Sequence, residues 1–261
     1  MKTLKKWLVV VQVAMPLLFF SATSLKAADA YYYEIKVYHF KTDTQEKRLN
    51  AFFKDALVPS LHDAGIKNVG VFRPIKQDTD KRFYVFIPCK NWEQLEGLDQ
   101  KLSKDKSYNK DGKDYVDASF NSYPYTRIET IILRAFEDME EPAKPKLKAD
   151  KAARVYELRS YESASEKAGA SKIKMMNDGG EMKLFKKLDF NAVFYGKVIA
   201  GSRMPNMMYM TTFNSKEERD ARWKEFGESS DWKKLVAKEE YQHNMNKSDI
   251  WLLHPMDYSD F

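Results

Sequence analysis

Strict alternation of apolar and polar side chains characterises the first patterned stretch of the chain, Tyr32–Phe40. Tyr33, Ile35, Val37 and His39 fall on one face of the extended chain, and Glu34, Lys36 and Tyr38 fall on the other. A period of two residues predicts a β-strand at this position.

From Thr44 onward the apolar period changes to about 3.6 residues, which predicts a helix that ends at Gly65. Pro59 lies inside this helix and lacks the backbone N–H donor that a helical turn requires. We therefore expect the helix to be bent or divided near Pro59.

The first copy of the pattern continues with two strands, a helix and a last strand. The strands are predicted at Asn68–Ile75, Arg82–Ile87 and Ile128–Phe136. Asn91 is expected to cap the helix, because an Asn side chain can accept from a free backbone N–H in the first turn. We expect Trp92 to lie on the buried side of that helix.

The same order of elements begins again at Val155–Tyr161, where Tyr156-Glu157-Leu158 aligns with Tyr33-Glu34-Ile35. A helix follows, with Gly179-Gly180 as its weak point. Strands are then predicted at Asn191–Ile199, Met207–Phe213 and Ile250–Leu253. Between the last two strands, Ser215 and Glu218 have the spacing of a capping box at the start of a charged helix.

Each copy therefore reads β-α-β-β-α-β, which is the order of a ferredoxin-like half in the α+β class. A sheet with helices on one face still needs a partner on the other. We expect the two halves to pair sheet to sheet as an intramolecular α/β barrel. The predicted division is residues 31–137 for the first half, 138–153 for a polar linker and 154–259 for the second half.

Residues 1–28 have the composition of a secretory signal peptide. Lys2, Lys5 and Lys6 precede the uncharged apolar run Trp7–Phe20, and small residues follow. We expect cleavage near Ala27, Ala28 or Ala30, export to the periplasm or the medium, and no stable membrane span afterwards. Cleavage after Ala27 lowers the formal charge from +6 to +2, because four lysines and no acidic residue leave. No basic stripe indicates nucleic-acid binding.

Candidate chemistry is sparse along the chain. The single cysteine, Cys89, is expected to be a buried apolar residue. The four histidines do not pair at metal spacing, so no metal site is predicted. No cofactor is expected, and haem held by His39 or His62 is the alternative. No catalytic set is identified, which favours a non-enzymatic role.

The second half resembles the NIPSNAP family. The resemblance rests on Val155–Tyr161, on MMYMTTFNSKEERDARWKEF from Met207 to Phe226, on Trp232 and on Leu253–Ser259. It implies dimeric α/β-barrel architecture, here within one chain, and the first half fits only as a diverged copy. Related barrels include haem-degrading and quinone-forming monooxygenases, and no catalytic motif defines the family.

The candidate ligand pocket is the polar face of the two first strands. If the apolar faces lie under the helices, the polar faces point into the space between the sheets. The candidates are Glu34, Lys36, Tyr38, Glu157, Arg159 and Tyr161. They either form a pocket in which an arginine or lysine orients an anionic group, or pair with each other as a buried network.

The expected function is to bind a small amphipathic or aromatic ligand, or a protein partner, in or around the barrel. One alternative is a monooxygenase or haem-handling enzyme of the same barrel type. The other is an interaction protein whose barrel is filled. Whether the single-chain pair forms a homo-oligomer is left open by the sequence.

Overall fold

The computed structural model describes residues 30–76 and 79–261. The predicted signal peptide, residues 1–28, lies outside this range. Within the described residues, no helix is both long and apolar enough to cross a membrane.

Eight antiparallel strands close into one barrel. The strands are β1 (Tyr32–Phe40), β2 (Gly70–Pro74), β3 (Lys81–Cys89), β4 (Arg127–Ala135), β5 (Val155–Glu162), β6 (Phe194–Ala200), β7 (Asn206–Phe213) and β8 (Lys247–Pro255). Their order around the barrel is β1-β3-β2-β8-β5-β7-β6-β4. Each half contributes four neighbouring strands in the ferredoxin-like order, which confirms the predicted fold class.

The two halves join at the edges of their sheets. Phe72 of β2 pairs with Pro255 of β8, and Leu133 of β4 pairs with Val198 of β6 beside a register shift at Ile132/Leu133. Closure of this kind leaves no strand edge unpaired and encloses a lumen between the sheets.

Helices cover the outside of the barrel. In the first half they are α1 (Asp43–Phe52), a π-helical turn (Phe53–Leu57), α2 (Val58–Asp63), α3 (Trp92–Glu96), α4 (Leu98–Lys104), α5 (Lys106–Asp111) and α6 (Lys113–Val116). In the second half they are α7 (Glu166–Met176), α8 (Glu181–Lys187), α9 (Lys216–Glu228), α10 (Ser230–Val236) and a 3₁₀ turn (Glu239–Tyr241).

Local sequence signals explain how several helices begin and divide. The π-helical turn ends at Leu57, and Pro59 is the second residue of the helix that follows, so the predicted division of the first helix is confirmed. Asn91 accepts from the Gln94 N–H at 2.9 Å, as expected for the cap of α3. The break between α7 and α8 falls at Gly179-Gly180, where Gly180 has a φ of +94° that favours glycine.

Two local predictions need correction. Trp92 is 44% exposed, because α3 is a short helix with no buried residue and the Trp92 ring packs only edge-on against Tyr32. The capping box at α9 is half formed: Ser215 accepts from the Glu218 N–H, but the Glu218 carboxylate accepts from the Asn214 N–H instead of the Ser215 N–H.

Three large apolar clusters show which face of each strand points inward. One cluster draws on strands of both halves and fills the lumen; it includes Ile35, Val37, Tyr156 and Leu158. The other two lie between each sheet and its own helices. The predicted orientation of the first strands is therefore wrong, since their apolar faces line the lumen and their polar faces lie under the helices.

The reversal has a physical reason. The middle of the lumen is surrounded by strands alone and supplies few partners for a charge, so apolar residues fill it. The layer under the helices adjoins solvent and contains helix side chains that can hydrogen-bond to a carboxylate, such as Arg219. A charged residue on a first strand is therefore less costly under the helices than in the lumen.

One end of the lumen is closed by the chain itself. Phe261 is 1% exposed and packs against Phe72, Phe86 and Tyr156, with ring centroids 6.0–6.3 Å apart. Leu147, from the segment between the halves, packs against the same lumen cluster. The opposite end, where β1 and β5 finish, remains open.

Candidate functional site

A cavity of about 140 Å³ occupies the open end of the lumen. Its apolar wall consists of Ile35, Val37, Tyr84, Ile131, Met208 and Trp251. Its polar residues are His39, Asp80, Arg82, Arg127, Glu129, Ser160, Ser202, Arg203 and Asn206. An apolar cavity of about 150 Å³ can hold benzene, so the volume suits a single aromatic ring.

His39 lies on the inner wall of the cavity, one residue before the end of β1, and is 4% exposed. Its Nδ1 atom lies 2.8 Å from Asp80 Oδ1. Its Nε2 atom lies 3.3 Å from both Arg127 Nη2 and Glu129 Oε1. The ring is therefore held in one orientation, with a carboxylate on each side.

Ion pairs surround the mouth of the cavity. Arg82 pairs with Asp80 at 2.8 Å and Arg127 pairs with Glu129 at 2.6 Å. Burial opposes the ionisation of Asp80, but the hydrogen bond from His39 and the charge of Arg82 outweigh it and hold the pKa of that carboxyl below its usual range.

A third ion pair lies across the mouth. Arg203, in the turn between β6 and β7, pairs with Asp249, and its guanidinium lies 5.9 Å from the ring centre of Trp251. Each guanidinium has five N–H donors, and only some of them hydrogen-bond to its carboxylate partner. Arg127 and Arg203 are 61% and 41% exposed at the side chain, so both can reach an anionic group of a ligand.

A buried polar pair from β5 and β7 also lines the cavity. Asn206 Nδ2 donates to Ser160 Oγ at 2.8 Å, and both residues are at least nine-tenths buried. Asn206 Oδ1 is buried and has no hydrogen-bond partner among the described residues. An unsatisfied buried acceptor costs about 1–3 kcal/mol, which a ligand donor at this position would recover.

Aromatic rings form the cavity wall beside these groups. Tyr84 and Trp251 lie with their ring centroids 5.9 Å apart. Burial raises the pKa of the Tyr84 hydroxyl, so this group remains protonated at neutral pH.

The candidates from the second half form a closed network under α9. Glu157 is fully buried and accepts from Arg159 Nε at 2.6 Å, Arg219 Nε at 2.8 Å and Trp223 Nε1 at 2.7 Å. Burial opposes its ionisation, but hydrogen bonding to Arg219 and the Arg159 charge hold its pKa below the usual range. Tyr161 accepts from Arg159 at 2.8 Å.

The candidates from the first half also lie outside the cavity. Glu34 pairs with Lys36 at 3.4 Å, and Tyr38 is buried against Phe53 of the π-helical turn. None of the six predicted pocket residues is among those that line the cavity. Their pairing matches the buried network that the sequence offered as the other interpretation, and a ligand role for them remains a prediction.

Two of the residues that line the cavity could have been suspected from the sequence pattern alone. His39 and Ser160 are the polar residues that end otherwise apolar strand faces, Tyr33–Val37 and Tyr156–Leu158. A polar residue at the end of an apolar face indicates where a lumen meets solvent. Asp80 and Arg203 lie in turns, and only barrel closure places them at this mouth.

Metal or haem binding by this chain would depend on how its acidic side chains and histidines are placed. Within the described residues, no group of three or more His, Cys, Asp or Glu side chains is arranged to hold a metal ion. His39 Nδ1 is held by Asp80 at 2.8 Å, and His62 is paired with Asp260 at the same distance. At about 140 Å³ the cavity is smaller than the roughly 300–1,000 Å³ of pockets for drug-sized ligands, and the haem alternative remains a prediction.

Comparison with solved structures gives the class of the fold, the dimeric α/β barrel. A candidate monooxygenase from Lactobacillus acidophilus NCFM is 14% identical, covering 87% of this chain and 94% of that chain with a TM-score of 0.55. An anthrone oxidase-like protein is 10% identical, covering 87% and 92% with a TM-score of 0.51. Likeness at this identity shows the fold alone.

The family match lies in the second half. Residues 156–260 match the NIPSNAP family model, which confirms the resemblance predicted for that half. A NIPSNAP family protein from Agrobacterium tumefaciens is 18% identical over 41% of this chain and 98% of that chain, with a TM-score of 0.37. No curated protein sequence is significantly similar to this chain.

Proposed function

We propose that this protein is an exported binding protein for a small aromatic molecule that carries an acidic group. The observation that carries the proposal is the cavity at the open end of the lumen, where apolar walls meet a few converging polar groups. The export part of the proposal rests on the composition of residues 1–28.

The walls determine the size and polarity of the ligand. About 140 Å³ between Trp251, Tyr84 and Met208 accommodates one ring. The mouth determines its charge, because Arg127 and Arg203 are the exposed cations within reach of a carboxylate on that ring. Both arginines already form ion pairs with Glu129 and Asp249. The ligand anion would therefore hydrogen-bond to the remaining N–H donors of these arginines and would not neutralise an unpaired charge.

Calorimetric titration with phenylacetate tests the proposal. We expect saturable binding to the mature protein, and Met208→Trp should abolish it by filling the cavity from β7. Ile250→Trp is the matched control, because Ile250 lies next to Trp251 in β8, is 43% exposed and faces away from the lumen. Absence of saturable binding to the folded wild type, or equal binding by the Met208→Trp variant, would overturn the proposed function.

A further inference from the structure

His39 is the histidine among the cavity-lining residues, and its surroundings determine the state of its ring. A carboxylate can only accept a hydrogen bond, so the 2.8 Å contact between Asp80 Oδ1 and Nδ1 places a proton on Nδ1. In the neutral ring Nε2 then carries the lone pair. This is the tautomer that a general base uses, with a carboxylate holding the other nitrogen.

The Nε2 lone pair accepts at most one long, weak hydrogen bond from the described residues. Arg127 Nη2 approaches it at 3.3 Å, beyond the usual range of 2.7–3.2 Å for an N–H donor. Arg127 Nη2 makes its shorter contact, 2.6 Å, with Glu129. A donor group of a ligand can therefore replace the arginine at Nε2 while Arg127 keeps its ion pair.

The other charged groups around the ring suit a ring that becomes charged. Asp80 lies in the turn before β3, Arg82 at the start of β3, Arg127 and Glu129 on β4, and Arg203 in the turn before β7. A protonated His39 would donate through Nδ1 to Asp80 and through Nε2 to Glu129, whose Oε1 is 3.3 Å away. Both carboxylates are in place before the proton arrives, so little rearrangement is needed.

We propose that His39, oriented by Asp80, is the base of a proton-transfer site that acts on small aromatic 2-oxo acids. The inference rests on the proposed function and adds a reaction to it. The ring of the ligand occupies the apolar wall, its carboxylate contacts Arg127 or Arg203, and its acidic CH₂ group faces Nε2. Asn206 and Ser160 supply polar contacts from β7 and β5.

The step balances without a further reactant. The C3–H bond of the ligand breaks and the proton moves to Nε2. The C–H electron pair forms the C2–C3 double bond while the π pair of the C2=O bond moves onto oxygen, which gives the enolate. The imidazolium then returns the proton to the enolate oxygen, which gives the enol, or to C3, which gives back the ketone. No oxidant or reductant takes part.

Deuterium incorporation at C3 of phenylpyruvate, followed by proton NMR in D₂O, tests the proposal. We expect the wild type to accelerate exchange above the buffer rate, and His39→Gln to lower kcat by about 100-fold or more with little change in KM. His62→Gln is the matched control, because His62 pairs with Asp260 at the same 2.8 Å but lies outside the cavity. This control should exchange at the wild-type rate.

Asp80→Asn separates a positioning role from a structural one. An asparagine cannot fix the Nδ1–H tautomer as a carboxylate does, so kcat should fall and its pH profile should change while the melting temperature is retained. Because Asp80 is 47% exposed at the side chain, this variant also serves if His39→Gln fails to fold.

Two results would overturn the inference: wild-type exchange at the buffer rate, or exchange by folded His39→Gln at the wild-type rate. Calorimetry with phenylacetate, which lacks the 2-oxo group, distinguishes the two failures. Binding without exchange overturns the base alone, whereas the absence of both overturns the proposed function as well.

Discussion

Arg219 of α9 donates through Nε and Nη2 to the two carboxylate oxygens of Glu157 on β5, both at 2.8 Å, and Glu157 is fully buried. The pair joins the central strand of the second half to the helix that covers it. With Arg159 and Trp223 as further donors, the carboxylate is fully satisfied. The buried charge of Glu157 on β5 therefore helps to hold α9 against the sheet.

Arg219→Ala should lower the free energy of unfolding by about 3 kcal/mol, because a buried carboxylate loses its bidentate partner. The measurement is urea unfolding at neutral pH. Arg222→Ala is the control on the same helix, since its ion pairs with Asp189 and Glu225 are largely exposed and should contribute about 0–1 kcal/mol. Equal losses in both variants would mean that the Glu157 network contributes nothing specific.

The lowered pKa of Glu157 makes its contribution depend on pH. A carboxyl whose pKa is lower in the folded state stabilises the fold fully above the unfolded value, about 4.3, and loses this as pH falls through the folded value. The difference in unfolding free energy between wild type and Glu157→Gln should therefore be constant near neutrality and shrink below about pH 4.3. A difference that stays constant down to pH 3 would contradict this assignment.

Phe261→Ala should lower the free energy of unfolding by about 3–5 kcal/mol, as is usual for a phenylalanine removed from a core. The ring is 1% exposed and closes one end of the lumen against Phe72 and Tyr156. Phe120→Ala is the control, because Phe120 is 92% exposed and its removal leaves no cavity. Chemical unfolding measures both, and an unchanged Phe261→Ala variant would show that the closed end adds no stability.

Much of this architecture could be predicted from residue patterns, because strand and helix periods are local properties. The alternation in Tyr32–Phe40 and its repeat at Val155–Tyr161 predicted two matching halves, and eight strands in ferredoxin-like order confirm it. Pro59 likewise predicted the division of the first helix, since the missing N–H is a property of that residue alone.

The inward face of each strand could not be obtained in this way. Both faces of β1 and β5 are buried, one in the lumen and one under helices, so alternation gives two faces without saying which is inner. Alternation therefore predicts Glu157 in the lumen, whereas the structure pairs it under α9 with Arg219, which lies 62 positions further along the chain. The charged mouth depends on Asp80 and Arg203, turn residues from different halves that come to line one cavity only when β4 pairs with β6 and closes the barrel.

Asn206→Leu should separate ligand recognition from stability. The substitution removes an unpaired buried acceptor and one hydrogen bond to Ser160, two effects of about 1 kcal/mol or more that oppose each other. We therefore expect the free energy of unfolding to change by less than about 1 kcal/mol.

Affinity should respond differently. If Asn206 Oδ1 accepts from a ligand, the wild type should bind 4-hydroxyphenylacetate about tenfold more tightly than phenylacetate, and Asn206→Leu should lose this preference. Asn177→Leu is the control, because Asn177 Oδ1 is also buried without a partner among the described residues but lies at the end of α7, outside the cavity. Calorimetry gives both affinities, and a preference that survives in Asn206→Leu would place the recognising acceptor elsewhere.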